Sequence, residues 1–243
     1  MKPTEKPLTL PGQKVSCSRC CLRELCVPAD IAPQHEELLH ALIKQQNLNL
    51  RRGEHLYRAG MPFHSLFAIH TGSVKTYMLA DDGREWVEGF YLSGDMLGMD
   101  GISGDTYTLT AVALEDAGIC VLPFQRLEDL TRELPLVQRQ FHRMMSREIL
   151  RDKGIMMMLG QMSAEERLAA FLLNLSQRYG ARGFSATGLT LKMSRQDIAN
   201  YLGLKAETVS RLFSRFQEDG LITISGKNVR VTRLSGLRAV LGF

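Results

Sequence analysis

Short apolar or alternating runs, separated by glycines, fill residues 48–123 of the chain. Runs of this kind at close turn spacing are typical of antiparallel strands, and Asp82-Gly83 between two of them predicts a hairpin turn. Together they predict a compact antiparallel β-roll of the jelly-roll type. The predicted strands are His55–Tyr57, Ser65–His70, Ser73–Leu79, Trp86–Tyr91, Tyr107–Leu114 and Gly118–Leu122.

Beyond residue 124 the period becomes helical. Spacings of three and four define a heptad seam, which is typical of a two-helix coiled coil and predicts a dimerisation helix at 136–160. The seam residues are His142, Met145, Ile149, Asp152, Met156 and Leu159. The alternative is an amphipathic helix packed on its own roll, whose second face would use Met144, Leu150, Ile155 and Met157.

Asp152 is the charged member of this seam. In a parallel symmetric dimer it would face its own copy, and two close carboxylates repel unless one is protonated. The pairing would then be marginal, as a switch requires. The alternative is that the helix rotates Asp152 into solvent, because a coiled coil tolerates one polar seam position.

A second helical region follows a hinge near Gly160. Ser163 and Glu166 have the capping-box spacing, which predicts a new helix through Arg178. Further on, Ser194 and Asp197 can cap a short helix, and residues 206–218 predict another.

These last two helices form a predicted helix-turn-helix. Ile198, Ala199 and Leu202 would be the inner face of the first helix, and Gly203 permits the positive φ of a tight turn. The second helix would bury Val209, Leu212, Phe213 and Phe216. Residues 221–232 resemble the wing of a winged helix, with a basic tip.

The opposite face of the second helix is polar and suits a DNA major groove. Glu207 can accept from cytosine, Arg211 can bind guanine through two hydrogen bonds, and Ser210 can contact either kind of base edge. Residues better placed for phosphates, which set register without reading sequence, are Arg195, Lys205, Thr208 and Arg215.

Charge supports a polyanionic partner at this end. Residues 163–243 hold 12 Lys and Arg against 6 Asp and Glu, whereas residues 1–162 hold 18 against 20. The chain shows no signal peptide and no stretch long enough to cross a membrane, so we expect a cytoplasmic protein. Five cysteines in a reducing cytosol favour metal ligation or redox chemistry over disulfides.

Four of these cysteines form a candidate metal site. Cys17, Cys20 and Cys26 are clustered, and Cys120 lies 94 residues beyond Cys26 at the end of a strand. Three clustered thiolates and one distant thiolate can enclose a zinc ion or an iron–sulfur cluster, and the spacing alone does not choose between them. Cys21 is left over.

With these motifs the chain resembles the fumarate-and-nitrate-reduction regulator (FNR) family of the cyclic-AMP receptor protein superfamily. The resemblance extends from Cys17 through the wing, and its most specific parts are the four cysteines, the block 164–175 and Glu207-Thr-Val-Ser-Arg211. It implies an oxygen-sensing transcription regulator with a [4Fe–4S] cluster on Cys17, Cys20, Cys26 and Cys120. Oxygen would convert this to [2Fe–2S] and then destroy it, ending dimerisation and DNA binding.

The resemblance also assigns roles to residues. Asp152 matches the family's seam aspartate, and Glu207, Ser210 and Arg211 match its base-reading residues. They imply a palindromic double-stranded DNA site near TTGAT-N4-ATCAA. The turn formed by Asp81, Asp82, Gly83 and Arg84 matches a surface that contacts RNA polymerase, although Arg84 stands where an acidic residue is common.

Two functions are not expected. The stretch Gly104–Thr108, where cyclic-nucleotide receptors carry an Arg-Ser/Thr pair, has no arginine, so a cyclic nucleotide would lack a cationic partner. The chain has no glycine-rich phosphate loop and no nucleophile–base constellation, and its six histidines are scattered, so we do not expect an enzyme.

The predicted fold class is therefore α+β. In chain order we expect a cysteine-rich cluster-binding segment (1–30), a β-roll sensor domain (31–135), the dimerisation helix (136–160) and a winged helix-turn-helix domain (161–243). A short helix is also predicted at 33–46. A regulator of the same fold with a structural zinc or another redox trigger is the alternative function.

Overall fold

The computed structural model describes residues 47–242 of the 243-residue chain. The predicted helix at 33–46 and the candidate ligands Cys17, Cys20 and Cys26 lie outside these residues. The antiparallel roll, the long helix and the C-terminal helix-turn-helix confirm the predicted fold class.

The roll contains two four-stranded antiparallel sheets. Its strands are β1 (Asn47–Leu50), β2 (His55–Tyr57), β3 (Ser65–Thr71), β4 (Ser73–Leu79), β5 (Glu85–Leu92), β6 (Met96–Leu97), β7 (Thr110–Ala113) and β8 (Ala117–Pro123). One sheet has the order β1-β8-β3-β6 and the other β2-β7-β4-β5. The predicted hairpin at Asp82-Gly83 joins β4 to β5, whereas β1 and β6 were not predicted.

Six helices and a small sheet follow. The helices are α1 (Phe124–Glu133), α2 (Pro135–Gln161), α3 (Ala164–Ala181), α4 (Arg195–Leu202), α5 (Ala206–Glu218) and α6 (Leu234–Val240). A three-stranded sheet of β9 (Gly188–Thr190), β10 (Ile222–Ser225) and β11 (Asn228–Val231) has the order β10-β11-β9. Its β10–β11 hairpin is the predicted wing. Among the described residues, every helix is too short or too polar to span a bilayer.

The roll and the C-terminal helices share one apolar core. Val87 and Phe90 of β5 belong to the same buried cluster as Phe171 of α3. The Phe90 ring lies 6.0 Å from that of Phe171 and 5.1 Å from that of Tyr201 in α4, measured between centroids. Sheet β2-β7-β4-β5 is therefore the platform on which the helix-turn-helix rests.

Ion pairs surround this apolar contact. Lys75 of β4 lies 2.5 Å from Glu85 and 2.7 Å from Asp197 at the start of α4. Asp95, after β5, binds Arg178 of α3 and Arg182, the residue that follows α3. Apart from Glu85, which is 35% exposed, the side chains of these pairs are largely withdrawn from solvent, so the pairs are screened less than exposed ones and link the roll to the C-terminal helices.

Candidate nucleic-acid interface and dimerisation helix

Helix α4 starts and stops as its sequence predicts. The Asp197 N–H donates to Ser194 Oγ at 3.0 Å, and the Ser194 N–H donates to the Asp197 carboxylate at 2.8 Å. This reciprocal capping box satisfies two N–H groups that the first turn leaves without partners. Gly203 ends the helix with φ 63°, a conformation that glycine adopts without steric cost.

Helix α5 presents a polar face to solvent because its apolar face packs against the neighbouring helices. Val209, Phe213 and Phe216 are buried against α4 and α3, while Leu212 is half-buried. The candidate base-reading residues Glu207, Ser210 and Arg211 are all exposed. The sequence therefore predicted both faces of this helix correctly.

The candidate phosphate-binding residues differ in their surroundings. The guanidinium of Arg195 stacks on the Phe213 ring at 3.5 Å from its centroid, and burial lowers its pKa. Arg215 pairs with Glu165 at 3.1 Å, Lys205 is exposed, and Thr208 is half-buried. Arg195 thus also braces α4 against α5, a role that its charge alone did not suggest.

Arg167 ties the end of α2 to the helix-turn-helix, and sequence reasoning did not single it out. Its guanidinium donates to the carbonyls of Leu159 at 2.8 Å, Met162 at 2.9 Å and Leu202 at 3.0 Å. These carbonyls lie at the end of α2, just beyond it, and at the end of α4. The predicted capping box of Ser163 and Glu166 starts α3 here and is confirmed.

Helix α2 packs on its own roll through one stripe of residues at spacings of three and four. Val137 and Gln140 are buried near its start, and Ile155 and Met158 join the core shared with the C-terminal helices. Between them, Glu148 and Arg151 face β5. Thus part of the alternative prediction, a helix packed on its own roll, holds for α2.

The predicted seam forms the neighbouring stripe, one residue further along at each position. Three of its members are large exposed hydrophobic residues: Ile149 at 53%, Met156 at 72% and Leu159 at 37% of their full exposure. Of the four candidates for a face toward the roll, Met144 is half-buried like Ile155, but Leu150 and Met157 are 65% and 60% exposed. The apolar surface of α2 is therefore larger than its own roll covers.

Asp152 lies beside a charged network that joins α2 to the roll. The carboxylate oxygens of Asp152, Glu148 and Glu88 lie within 4.8 Å of one another. Arg151 contacts Glu148, the Tyr91 hydroxyl and, at 3.4 Å, Glu88. Asp152 is exposed, as the solvent hypothesis requires, yet it also faces a carboxylate of its own protomer.

This network shifts the ionisation of its members. Burial raises the pKa of Glu148 to about 7, despite the nearby positive charge of Arg151 and the hydrogen bond from Tyr91. Burial, followed by repulsion from Glu88, also raises the pKa of Asp152. Three carboxylates thus share one guanidinium. Sequence reasoning missed Glu88, Tyr91 and Arg151, although the spacing of Glu148 and Arg151 placed them on one stripe.

Cys120 lies on the sheet face that α1 and α2 cover. It pairs with Ala68 of β3 and with Asn47 of β1, the first described residue. Its partly buried side chain belongs to the apolar cluster that includes Val137 and Phe141 of α2. The chain that carries the other three cysteines therefore joins the roll beside Cys120.

The predicted polymerase-contact turn is exposed at the tip of the β4–β5 hairpin. Arg84 donates to the Asp82 carboxylate at 2.7 Å, and its N–H donates to the same group at 3.1 Å. These contacts, the backbone hydrogen bond first, lower the pKa of Asp82. The positive charge of Arg84 is therefore paired within the turn.

Comparisons with known proteins agree with this geometry. The family model of the Crp-like helix-turn-helix domain matches residues 166–240, and that of the cyclic nucleotide-binding domain matches residues 47–133. Transcriptional activator protein anr of Pseudomonas aeruginosa is 43% identical over 242 residues, which is 100% of this chain and 98% of that protein.

Two further relatives extend the comparison. The fumarate and nitrate reduction regulatory protein of Vibrio cholerae is 37% identical over 241 residues, covering 99% of this chain and 96% of that protein. The structure of FixK2 from Bradyrhizobium japonicum matches with a TM-score of 0.75 and 31% identity, over 80% of this chain and 96% of that one.

The fold and the helix-turn-helix thus define a DNA-binding transcription regulator of the cyclic-AMP receptor protein superfamily. Within that superfamily, the chain belongs to the fumarate-and-nitrate-reduction regulator family.

The raised pKa of Glu148 predicts a pH-dependent stability. The folded chain favours the protonated acid, so this contribution is fully present below about pH 4.5 and is lost as the pH rises through about 7. The free energy of unfolding of Glu148→Gln should therefore increase relative to that of the wild type as the pH rises. The increase should reach up to about 3 kcal/mol between pH 5 and pH 8. Urea unfolding of both proteins at each pH measures the difference.

Glu133→Gln, which removes an exposed carboxylate from α1, is the matched control. Equal free-energy differences between Glu148→Gln and the wild type at both pH values would show that Glu148 does not titrate in this range.

Proposed function

We propose that the protein is an oxygen-responsive transcription regulator of the cytoplasm. A [4Fe–4S] cluster held by Cys17, Cys20, Cys26 and Cys120 favours a homodimer paired along the seam of α2. That homodimer binds a palindromic double-stranded DNA site resembling TTGAT-N4-ATCAA. Loss of the cluster to oxygen returns the protein to monomers that no longer bind the site.

The position of Cys120 is the observation that carries this proposal. Its thiol lies in the same apolar cluster as Val137 and Phe141 of α2, and its strand neighbour Asn47 connects to the segment with the other three cysteines. Twenty residues separate Cys26 from Asn47, a chain that can extend roughly 65 Å. Four thiolates are the donor set of [4Fe–4S] clusters, so the ligands fit the group.

When bound, the cluster supplies an oxygen-sensitive link between two remote parts of the chain. The residues of the chain do the rest. Cys120 lies under α1 and α2, so a constraint at its thiol acts on the packing of Phe141. Arg167 connects the far end of α2 to the carbonyl of Leu202 in the helix-turn-helix. Pairing along α2 thereby positions both recognition helices.

Cys120→Ala should abolish the cluster and anaerobic dimerisation together, because one of four ligands is missing. Protein purified without oxygen is tested for bound iron, for broad visible absorbance that air bleaches, and for mass by sedimentation. Cys21→Ala removes a cysteine that is not among the proposed ligands, and it should keep all three properties.

A Cys120→Ala protein that retains both iron and pairing would refute the proposed sensor. A colourless wild-type protein loaded with zinc would instead support the alternative, a regulator of the same fold with a structural metal. A wild type that holds its operator tightly as an iron-free dimer would also remove the oxygen mechanism.

The DNA contacts follow from the exposed face of α5. In a two-fold symmetric dimer each α5 enters one half-site, and the half-sites lie about one helical turn apart. We assign base reading to Glu207, Ser210 and Arg211 and phosphate binding to Lys205, Thr208, Arg195 and Arg215. Lys227 and Arg230 of the wing are exposed and add positive charge to the same domain.

Arg211→Ala should weaken operator binding by about 1–3 kcal/mol and relax the preference at one base pair. Fluorescence anisotropy at one salt concentration measures affinity for the operator and for each single-base substitution. Arg215→Ala on the same helix is the control and should weaken all sequences by a similar factor. If Arg211→Ala does the same, Arg211 binds phosphate rather than a base.

A cyclic nucleotide is not part of this proposal. The Asp100 carboxylate accepts the backbone N–H groups of Thr108 at 2.8 Å and Leu109 at 2.9 Å, so an acid occupies donors in the stretch where a phosphate would need them. Within the roll, the Tyr57 ring stacks on Tyr107 at 4.1 Å between centroids. Both observations argue against an anionic nucleotide in this roll.

We further propose that RNA polymerase contacts the exposed turn of Asp81, Asp82, Gly83 and Arg84. Because Arg84 pairs with Asp82 at 2.7 Å, the turn still offers the carboxylate of Asp81 to a partner.

A further inference from the structure

The β4–β5 hairpin carries an exposed apolar face close to its tip. Trp86 is 54% exposed and its cross-strand partner Met78 is 45% exposed. Neighbouring Tyr77 and Val87, which point to the opposite face, are buried in the core shared with the C-terminal helices. At Tyr77 and Val87 the first face of the hairpin is therefore covered by its own chain, although Leu79, further toward the tip on that face, is 65% exposed. The face of Trp86 and Met78 is open.

The open face is continuous with the seam of α2. The Thr76 hydroxyl donates to the Glu88 carboxylate, so these two residues share the face of Met78 and Trp86. Glu88 lies 3.4 Å from Arg151, and its carboxylate is within 4.8 Å of that of Asp152, a seam residue. Trp86 lies two residues from Glu88, about 7 Å along the strand. The hairpin therefore flanks the seam.

A second exposed surface lies on the other side of the seam. Leu150 and Met157 are seven residues apart on α2 and are 65% and 60% exposed. The roll-facing stripe precedes each seam position by one residue, whereas Leu150 and Met157 follow a seam position by one residue. They therefore lie on the side of the seam away from their own roll.

Two-fold symmetry brings these surfaces together. If two α2 helices pair along their seams, each roll lies on one side of the pair and the two rolls lie on opposite sides. The side of α2 that faces away from its own roll then lies beside the partner's roll. The hairpin that flanks one seam thus extends over the partner's Leu150 and the partner's Met157.

A stable pair needs more buried area than the narrow seam of α2 offers, and this supports the arrangement. Specific interfaces bury about 800 Å² on each partner. The seam offers Ile149, Met156 and Leu159 as its large exposed hydrophobic residues, with the charged Asp152 among them. A narrow strip of this kind needs additional contacts, and aromatic residues supply large apolar area at interfaces.

We propose that the Trp86–Met78 face of the hairpin is part of the homodimer interface and packs against α2 of a second copy of this chain. This inference rests on the proposed dimer along α2 and adds a second contact to it. Trp86 would anchor that contact between the partner's Leu150 and the partner's Met157.

The test compares Trp86→Ala with the wild type as cluster-loaded protein under anaerobic conditions. Sedimentation equilibrium should show a dissociation constant for the dimer raised by about tenfold or more, with iron content unchanged. Phe184→Ala removes an equally exposed aromatic ring, at 54%, from the C-terminal domain. That control should stay within about twofold of the wild type.

A double-mutant cycle locates the contact. Leu150→Ala should weaken pairing as well, and the double variant should be weakened less than the product of the two single effects. Melting temperatures of the monomers in air should match the wild type, because both side chains are exposed in the protomer.

Unchanged pairing of Trp86→Ala in a wild type that does pair would overturn this inference and leave the proposed function intact. If the variant also binds its operator normally but fails to activate transcription, the face meets RNA polymerase instead. A wild type that does not pair without oxygen would overturn both proposals.

Discussion

Helix α2 carries two neighbouring apolar stripes, and each needs a surface to cover it. The rest of the structure depends on that constraint. One stripe is covered by the roll and the C-terminal helices, through residues such as Ile155 and Met158. The next stripe, one residue further around the helix, leaves Ile149 and Met156 in solvent. Exposed hydrophobic surface of this kind marks an interaction site. In the proposed dimer, the position of Asp152 within this surface would keep the interaction weak enough to be switched.

The origin of that weakness lies partly inside the protomer. Asp152 faces Glu88 and Glu148, and a single guanidinium, that of Arg151, compensates the group. In the proposed dimer, repulsion between the copies would be added to the repulsion that already exists between α2 and β5. The same strand carries Phe90 against the helix-turn-helix, so the roll, α2 and the DNA-binding domain meet along β5.

Local patterns in the sequence predicted the parts that short-range physics determines. The bounds of α5, the capping boxes at Ser163 and Ser194 and the turn at Gly203 all depend on residues within a few positions of one another. The seam was predicted from its spacing, but spacing does not tell which of two adjacent stripes meets the roll. The bridge from Lys75 to Asp197 joins residues 122 positions apart, and no local pattern encodes it. Strands β1, β6 and β9, of four, two and three residues, were not predicted, although the equally short β2 was.

The central claim is that pairing along α2 is limited by negative charge at Asp152. The most direct measurement is the sedimentation of Asp152→Ala in air, with operator binding assayed on the same sample. Asp129→Ala, which removes an exposed carboxylate from α1, is the control. The account predicts that Asp152→Ala remains a dimer and holds its operator after the wild type and the control have dissociated. An Asp152→Ala protein that becomes monomeric in air as readily as the wild type would contradict it.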